Sequence, residues 1–306
     1  MNSPAPWFAH YEPGVPQTVE VPEKLLQEML ADAVSAVPNK TAVRLVLKYL
    51  PFGMAIGSRL TYCELDAASD RFAAALQGLG IKPGDRVGIM LPNLPQTIIA
   101  FYGILKAGAT VVNINPTYPA PELKHTLSDS GARAIVILSG LVDRLSPIRH
   151  EINIEHVIVA DIADTLHLPF KGVVARQTLH SGMKKEVVYG NGVHSFSDLL
   201  SKAPAKPTPT RITPDDVVLF QYTGGTTGVP KAAMLTHRNL VANCMQMRGW
   251  FARAVYGQEK VLLALPAFHV YGMSVGILFS VTCAAEIVMV PDPRNTGHII
   301  EVISKE

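Results

Sequence analysis

Cysteine is nearly missing from this 306-residue chain, and the three present, Cys63, Cys244 and Cys283, are odd in number and far apart. That excludes a disulfide framework and, with no Cys/His ligand spacing, a thiolate metal site, so free thiols in a reducing compartment are expected. Charge is scarce too. Only 17% of residues are charged and the net charge is +2, which removes the basic face a nucleic-acid partner would need. Long apolar runs are absent: the weakly polar stretch 270–285 holds two glycines, two serines and a threonine and falls short of the ~20 residues that span a bilayer. A secretory leader is lacking as well, since Pro4, Pro6 and His10 stand where a basic region and an apolar run belong. These absences point to a cytoplasmic protein, with peripheral contact at the inner membrane face still compatible with them.

Hydrophobic residues make up 48% of the chain, ample for a large core in one or two domains. Helical and extended patterns alternate. After a Pro-rich arm over 1–22, the spacing predicts a helix over 23–36 and a strand over 41–47. Thr61 and Glu64 have capping-box spacing, and Leu65, Ala68, Phe72, Leu76 and Leu79 recur at helical intervals as far as Gly80. A turn at 82–85, a strand at 86–91, a helix at 95–107 and a strand at 110–114 then form a βαβ unit with parallel strands. The alternation continues with a helix from Pro121 to Gly131, strands at 134–138 and 157–160, and a helix expected over 141–150. Periodicity fades from Asp161 to Thr213, ending in the proline-rich stretch 203–214, which reads as a linker. Asp215 and Asp216 are adjacent and so face opposite sides of an extended chain, a turn rather than a chelate. Beyond them, helices over 239–247 and 274–283 alternate with strands over 261–265 and 287–290, and a further helix reaches the end of the chain.

Between two apolar runs, 217–220 and 232–235, lies Tyr222-Thr223-Gly224-Gly225-Thr226-Thr227-Gly228-Val229-Pro230-Lys231. Its glycines permit close approach of a ligand to the main chain, and its threonine hydroxyls, amides and lysine are donors. This is the chemistry of a polyphosphate cradle. It is not a Walker A loop, because Val229 stands where that pattern needs its second glycine and Lys231 is followed by Ala232. Downstream, Leu265-Pro266-Ala267-Phe268-His269-Val270-Tyr271-Gly272 sets a histidine among apolar neighbours. Alone, such a histidine is more often structural.

The two stretches together resemble the phosphate-loop and acyl-site signatures of the acyl-adenylate-forming superfamily, which includes acyl-CoA synthetases, peptide-synthetase adenylation domains and luciferases. The Gly224-Gly225 variant is most similar to bacterial long-chain fatty-acid:CoA ligases, and Gly84-Asp85, Asn93, Gly108 and Asn115-Pro116 extend the likeness into the first half, where turns and packing explain them. The resemblance implies an α/β fold with two doubly wound lobes, the first over 1–205 and the second, incomplete, over 206–306, with the C-terminal domain absent. It implies that a carboxylate attacks ATP, that pyrophosphate leaves, and that CoA then takes the acyl group. Tyr222, Thr223, Gly224, Gly225, Thr226, Thr227, Gly228 and Lys231 match the nucleotide-binding positions, with Lys231, Thr226 and His269 as catalytic residues and Thr226 toward Mg2+. Phe268, His269, Val270, Gly272 and Gly276 match the acyl side. The acidic motif, ribose-binding Asp and C-terminal lysine of the superfamily do not occur in the chain, so residues 1–306 alone are expected to be inactive and, with an unfinished sheet edge, to self-associate as a homodimer. A fatty-acyl-AMP ligase, another adenylation enzyme and a non-catalytic nucleotide- or acyl-binding module are the competing readings.

Overall fold

The computed structural model describes residues 5–167, 169–223 and 230–306. Its elements, in chain order, are α1 (Leu26–Ala36), β1 (Thr41–Tyr49), β2 (Ala55–Thr61), α2 (Tyr62–Gly78), β3 (Arg86–Met90), α3 (Pro95–Lys106), β4 (Thr110–Asn113), α4 (Ala120–Ser130), β5 (Ala134–Leu138), β6 (His156–Ala160), α5 (Phe170–His180), β7 (Val193–Ser195), α6 (Phe196–Lys202), β8 (Val217–Thr223), β9 (Lys231–Thr236), α7 (His237–Trp250), β10 (Lys260–Leu263), α8 (Val270–Met273), α9 (Ser280–Thr282), β11 (Glu286–Met289) and α10 (Thr296–Lys305). A π-helical segment, Ser274–Phe279, joins α8 to α9.

Two sheets result. One has seven strands in the order β7-β6-β5-β3-β4-β8-β9, the other four in the order β10-β11-β1-β2. All neighbours in the larger sheet are parallel except the last pair, β8 and β9. Its inner strands are apolar at almost every position because both faces are covered. Val87 and Ile89 of β3, Val111 of β4 and Val136 of β5 join the core that also holds α1, α2 and α3, whereas Met90, Val112, Ile135 and Ile137 turn the other way onto α4. The smaller sheet repeats the pattern: Val43, Leu45, Ile287 and Met289 reach the shared core, and Val46, Tyr49, Val288 and Val290 pack under α10. The layers therefore alternate as α, β, α, β, α, with the largest core between the two sheets. Helix α3 sits in that middle layer and is buried through Leu105.

Several sequence expectations meet physical corrections here. The strands do not separate at the 205/206 boundary: β1, expected early in the first lobe, pairs with β11 across almost the whole chain, and the β8–β9 hairpin completes the first sheet. Periodicity specifies that β1 is a strand buried on both faces, but not which edge receives it. The helix expected over 141–150 is two short 3-10 turns, Ser139–Arg144 and Ser146–Glu151. Pro147 lacks the N–H a continuous helix would use there. In the stretch where periodicity fades, α5, β7 and α6 form, and β2 precedes α2 where no strand was expected.

Candidate functional site

The parallel strands of the larger sheet end at one edge, where ligand sites of doubly wound folds lie. The connection leaving β3 runs to α3 on one face, and that leaving β4 runs to α4 on the other, so a crevice opens beside the end of β4. A cavity of about 250 Å3 sits there, lined by Asn113 at the end of β4, Asn115 and Tyr118 after it, Gln221, Tyr222 and Thr223 at the end of β8, and Phe268, His269 and Val270. Thr223 and His269, from the two sequence motifs, thus share one cavity. Residues Gly224, Gly225, Thr226, Thr227, Gly228 and Val229 lie outside the described residues. On their far side, Lys231 opens β9 directly opposite Thr223 in the antiparallel register. It is exposed and makes no ion pair among the described residues.

A chain of buried amides fixes the cavity floor. Asn113 donates through Nδ2 to Gln221 Oε1 at 3.1 Å and lies 3.5 Å from Met273 Sδ, while Gln221 Nε2 donates to the carbonyl of Phe268 at 3.3 Å. Both side chains are buried. Two neighbouring strands, β4 and β8, are thereby tied to the segment 268–273. Asn93, after β3, holds the same segment from behind: its Nδ2 donates to the carbonyls of Leu263 and Leu265, each at 3.0 Å, and its Oδ1 accepts from Ala267 N at 2.8 Å. Gly272 completes the clamp, since a Cβ there would overlap the carbonyl oxygen of Pro266.

His269 caps α8, its Nδ1 accepting from Tyr271 N at 3.3 Å. A neutral ring that accepts at Nδ1 carries its proton on Nε2. The imidazole is exposed rather than buried among its apolar neighbours. Tyr222 is buried at 6% exposure, and its hydroxyl donates to Asp129 Oδ2 at 2.6 Å. Burial first, then that hydrogen bond, push its pKa above the ordinary phenol range, so the hydroxyl is committed away from the cavity while the ring lines it. His125 Nε2 donates to Pro230 O at 3.0 Å and steadies the return of the hairpin.

Not every expected residue faces the cavity. Gly276 is pressed against β10, where a Cβ would collide with the Leu263 side chain, and it is no part of the lining. Asp215 and Asp216 behave as read: Asp215 pairs with Arg238 at 2.7 Å and Asp216 accepts from Thr213 N at 2.7 Å. Among the described residues no three His, Cys, Asp or Glu side chains gather as a metal site, and no helix is long and apolar enough to cross a membrane. Sequence reading missed Asn113 and Gln221. Their signal was a lone amide near the end of each apolar strand, a costly place for a polar group unless it has partners.

Fold and crevice define an open, doubly wound α/β protein with a ligand cavity at the carboxyl edge of its sheet. The family model described as AMP-binding enzyme matches residues 30–306, and the chain belongs to that family. It is 33% identical over 308 residues to a long-chain-fatty-acid–CoA ligase of Bacillus subtilis, covering 98% of this chain and 52% of the relative. It is 35% identical over 274 residues to a ligase of the same description from Escherichia coli O6:H1, covering 82% and 45%. A crystal structure of a long-chain-fatty-acid-CoA ligase from Archaeoglobus fulgidus superposes with a TM-score of 0.76 at 26% identity, covering 96% of this chain and 52% of that one. An anthranilate CoA ligase with anthranoyl-AMP shares the fold, with a TM-score of 0.74 at 20% identity over 92% of this chain and 48% of that one. The chain spans about half the length of these relatives.

Proposed function

We propose that the chain supplies the phosphate-facing and carboxylate-facing walls of a site that activates a long-chain fatty acid with ATP, as the first step toward an acyl-CoA. The observation that carries this reading is the shared cavity: Thr223, paired in register with Lys231, lines it together with Phe268, His269 and Val270. In adenylation a carboxylate oxygen attacks the α-phosphorus and the bond to pyrophosphate breaks. Lys231 and the Thr223 hydroxyl are donors on the side where the leaving charge grows. His269 Nε2–H is a donor for the attacking carboxylate, whose apolar chain would pass Phe268 and Val270. A CoA thiol then displaces AMP from the acyl-adenylate to give the thioester. That second step draws on no residue described here.

Magnesium receives no residue in this reading. The described lining of the cavity carries no carboxylate, and Thr226 lies outside the described residues, so no step is routed through the metal. A cytoplasmic protein and a homodimer belong to the same reading; the open edges of β9 and β10 support self-association. The test is calorimetric titration of pyrophosphate into residues 1–306 and into Lys231→Ala. Binding weakened about tenfold or more, the loss of one charge-assisted contact worth ~1.5–3 kcal/mol, is expected, and equal affinities would remove Lys231 from the phosphate wall.

A further inference from the structure

A mixed apolar and polar cleft beside the smaller sheet lies away from the candidate site. It encloses about 520 Å3 where β1 and β11 end, between α5 and α10, a size ordinary for small-molecule sites. Its apolar wall consists of Leu47, Ile56, Ile162, Val174 and Met183. Leu47, Ile56 and Ile162 are partly buried against the small cluster of Ala163, Leu166 and Val174, Leu47 and Ile162 also touch the main core, and Met183 is 49% exposed. Part of this apolar surface still faces the open cleft.

Charge on the cleft is one-sided once pairing is considered. Of its titratable side chains, Asp292 is taken by Arg294 at 2.8 Å and Glu301 by Lys305 at 2.6 Å. His298 Nε2 donates to the carbonyl of Val46 at 3.1 Å. Lys48 has no hydrogen-bond or ion-pair partner among the described residues. It stands opposite Ile56 in the β1–β2 register, and cross-strand partners share a face. A lone ammonium is thereby set on the same rung as the apolar wall.

We infer that this cleft is a second ligand site, separate from the adenylation cavity, which takes an amphipathic carboxylate such as a free fatty acid, its head at Lys48 and its chain along Ile56, Leu47 and Val174. An uncharged chain would lose the head contact, and a small polar anion would leave the apolar wall wet. The inference does not depend on the adenylation reading.

Oleate titrated calorimetrically into residues 1–306 provides the test. Lys48→Glu, which alters an exposed side chain, is expected to weaken one class of oleate site at least tenfold, and Val174→Trp, which fills the cleft, to abolish it. His269→Ala should leave that class unchanged. Oleyl alcohol should bind equally well to the parent chain and to Lys48→Glu. Thermal unfolding followed by circular dichroism establishes that each variant is folded, and Lys48→Glu decides the matter if Val174→Trp is not. Oleate binding that survives Lys48→Glu, or that disappears with His269→Ala, overturns the second site while leaving the Lys231 test of adenylation untouched.

Discussion

The two walls of the candidate cavity are built in opposite ways. On the carboxylate side, the segment around His269 is tied at several points to Asn93 and Gln221 and has no room for a side chain at Gly272. On the phosphate side, Lys231 and its neighbours belong to β9, the antiparallel edge strand of the larger sheet, with Lys231, Ala233 and Met234 exposed. One wall is held by buried polar groups whose loss is costly. The other is an edge strand whose side chains water can reach, so changes there disturb the core little. The contrast teaches that one cavity can join a wall fixed by buried hydrogen bonds to an edge strand that water can reach.

The sharpest way to break that comparison is at Asn93. Truncation to alanine removes the side-chain partner of the buried Leu263 carbonyl and Ala267 N–H, at roughly 1–3 kcal/mol each before relaxation, and of the half-buried Leu265 carbonyl. Asn93→Ala is expected to destabilise the chain by about 4 kcal/mol in urea unfolding, whereas Lys231→Ala, on the exposed edge, should stay within ~0.5 kcal/mol. Comparable losses at the two positions would mean that the walls are not differently anchored.

How far this architecture is legible in the sequence differs by element. Helix α2 is fully readable because its stop and start are local: Thr61 and Glu64 form the capping box with reciprocal bonds to backbone N–H groups, and Gly80 follows with a φ of +81°. The two motifs are likewise readable, since residue types and order carry them. What sequence conceals is partnership. That β1 lies against β11, or that Asn93 reaches across to hold residues 263–267, depends on contacts between positions far apart in the chain. Gly276 shows another side of this: a glycine in an apolar helix reads equally well as a tunnel wall and as a close packing point, and only the structure places it against the Leu263 side chain.

A second, somewhat smaller effect concerns the base of the β8–β9 hairpin. His237 directly follows β9, is 2% exposed, and accepts from Leu26 N at 3.2 Å through Nδ1. Burial lowers its pKa from 6.5 to about 4, with Asp216 opposing. The unfolded chain therefore takes up this proton first, so the contribution is fully present above pH 6.5 and is lost as pH falls from 6.5 toward 4, by up to ~3 kcal/mol. Asp164 acts in the other direction, since burial raises its pKa to about 6 and folding then favours its protonated form below that pH. The clean measurement is the stability difference between the parent chain and His237→Gln from pH 7.5 to 5. The parent should lose ground steadily below 6.5. A pH-independent difference would mean that the edge hairpin is not anchored through a neutral imidazole.

The smallest effect separates the capping contact of His269 from the carboxylate-binding role proposed for it. Its Nδ1 caps α8, a contact at 3.3 Å that is long for a strong hydrogen bond, so His269→Ala should cost about 1 kcal/mol as an ordinary cap does. Asparagine is a good capping residue with no imidazole. His269→Asn should therefore restore the stability lost in the alanine variant, to within ~0.3 kcal/mol, because the amide oxygen can accept from the same N–H while the rest of the segment remains held by Asn93 and Gln221. Fatty-acid activation should not be restored. In a longer, catalytically competent chain containing these residues, pyrophosphate exchange is expected to show a raised KM for fatty acid in both variants, with the KM for ATP unchanged. If asparagine rescues exchange along with stability, His269 serves only as a cap, and the carboxylate must be received by another donor in the cavity. Asn115, exposed to the same space but engaged by Thr117 through Oδ1 at 2.9 Å, would then be the next side chain to replace.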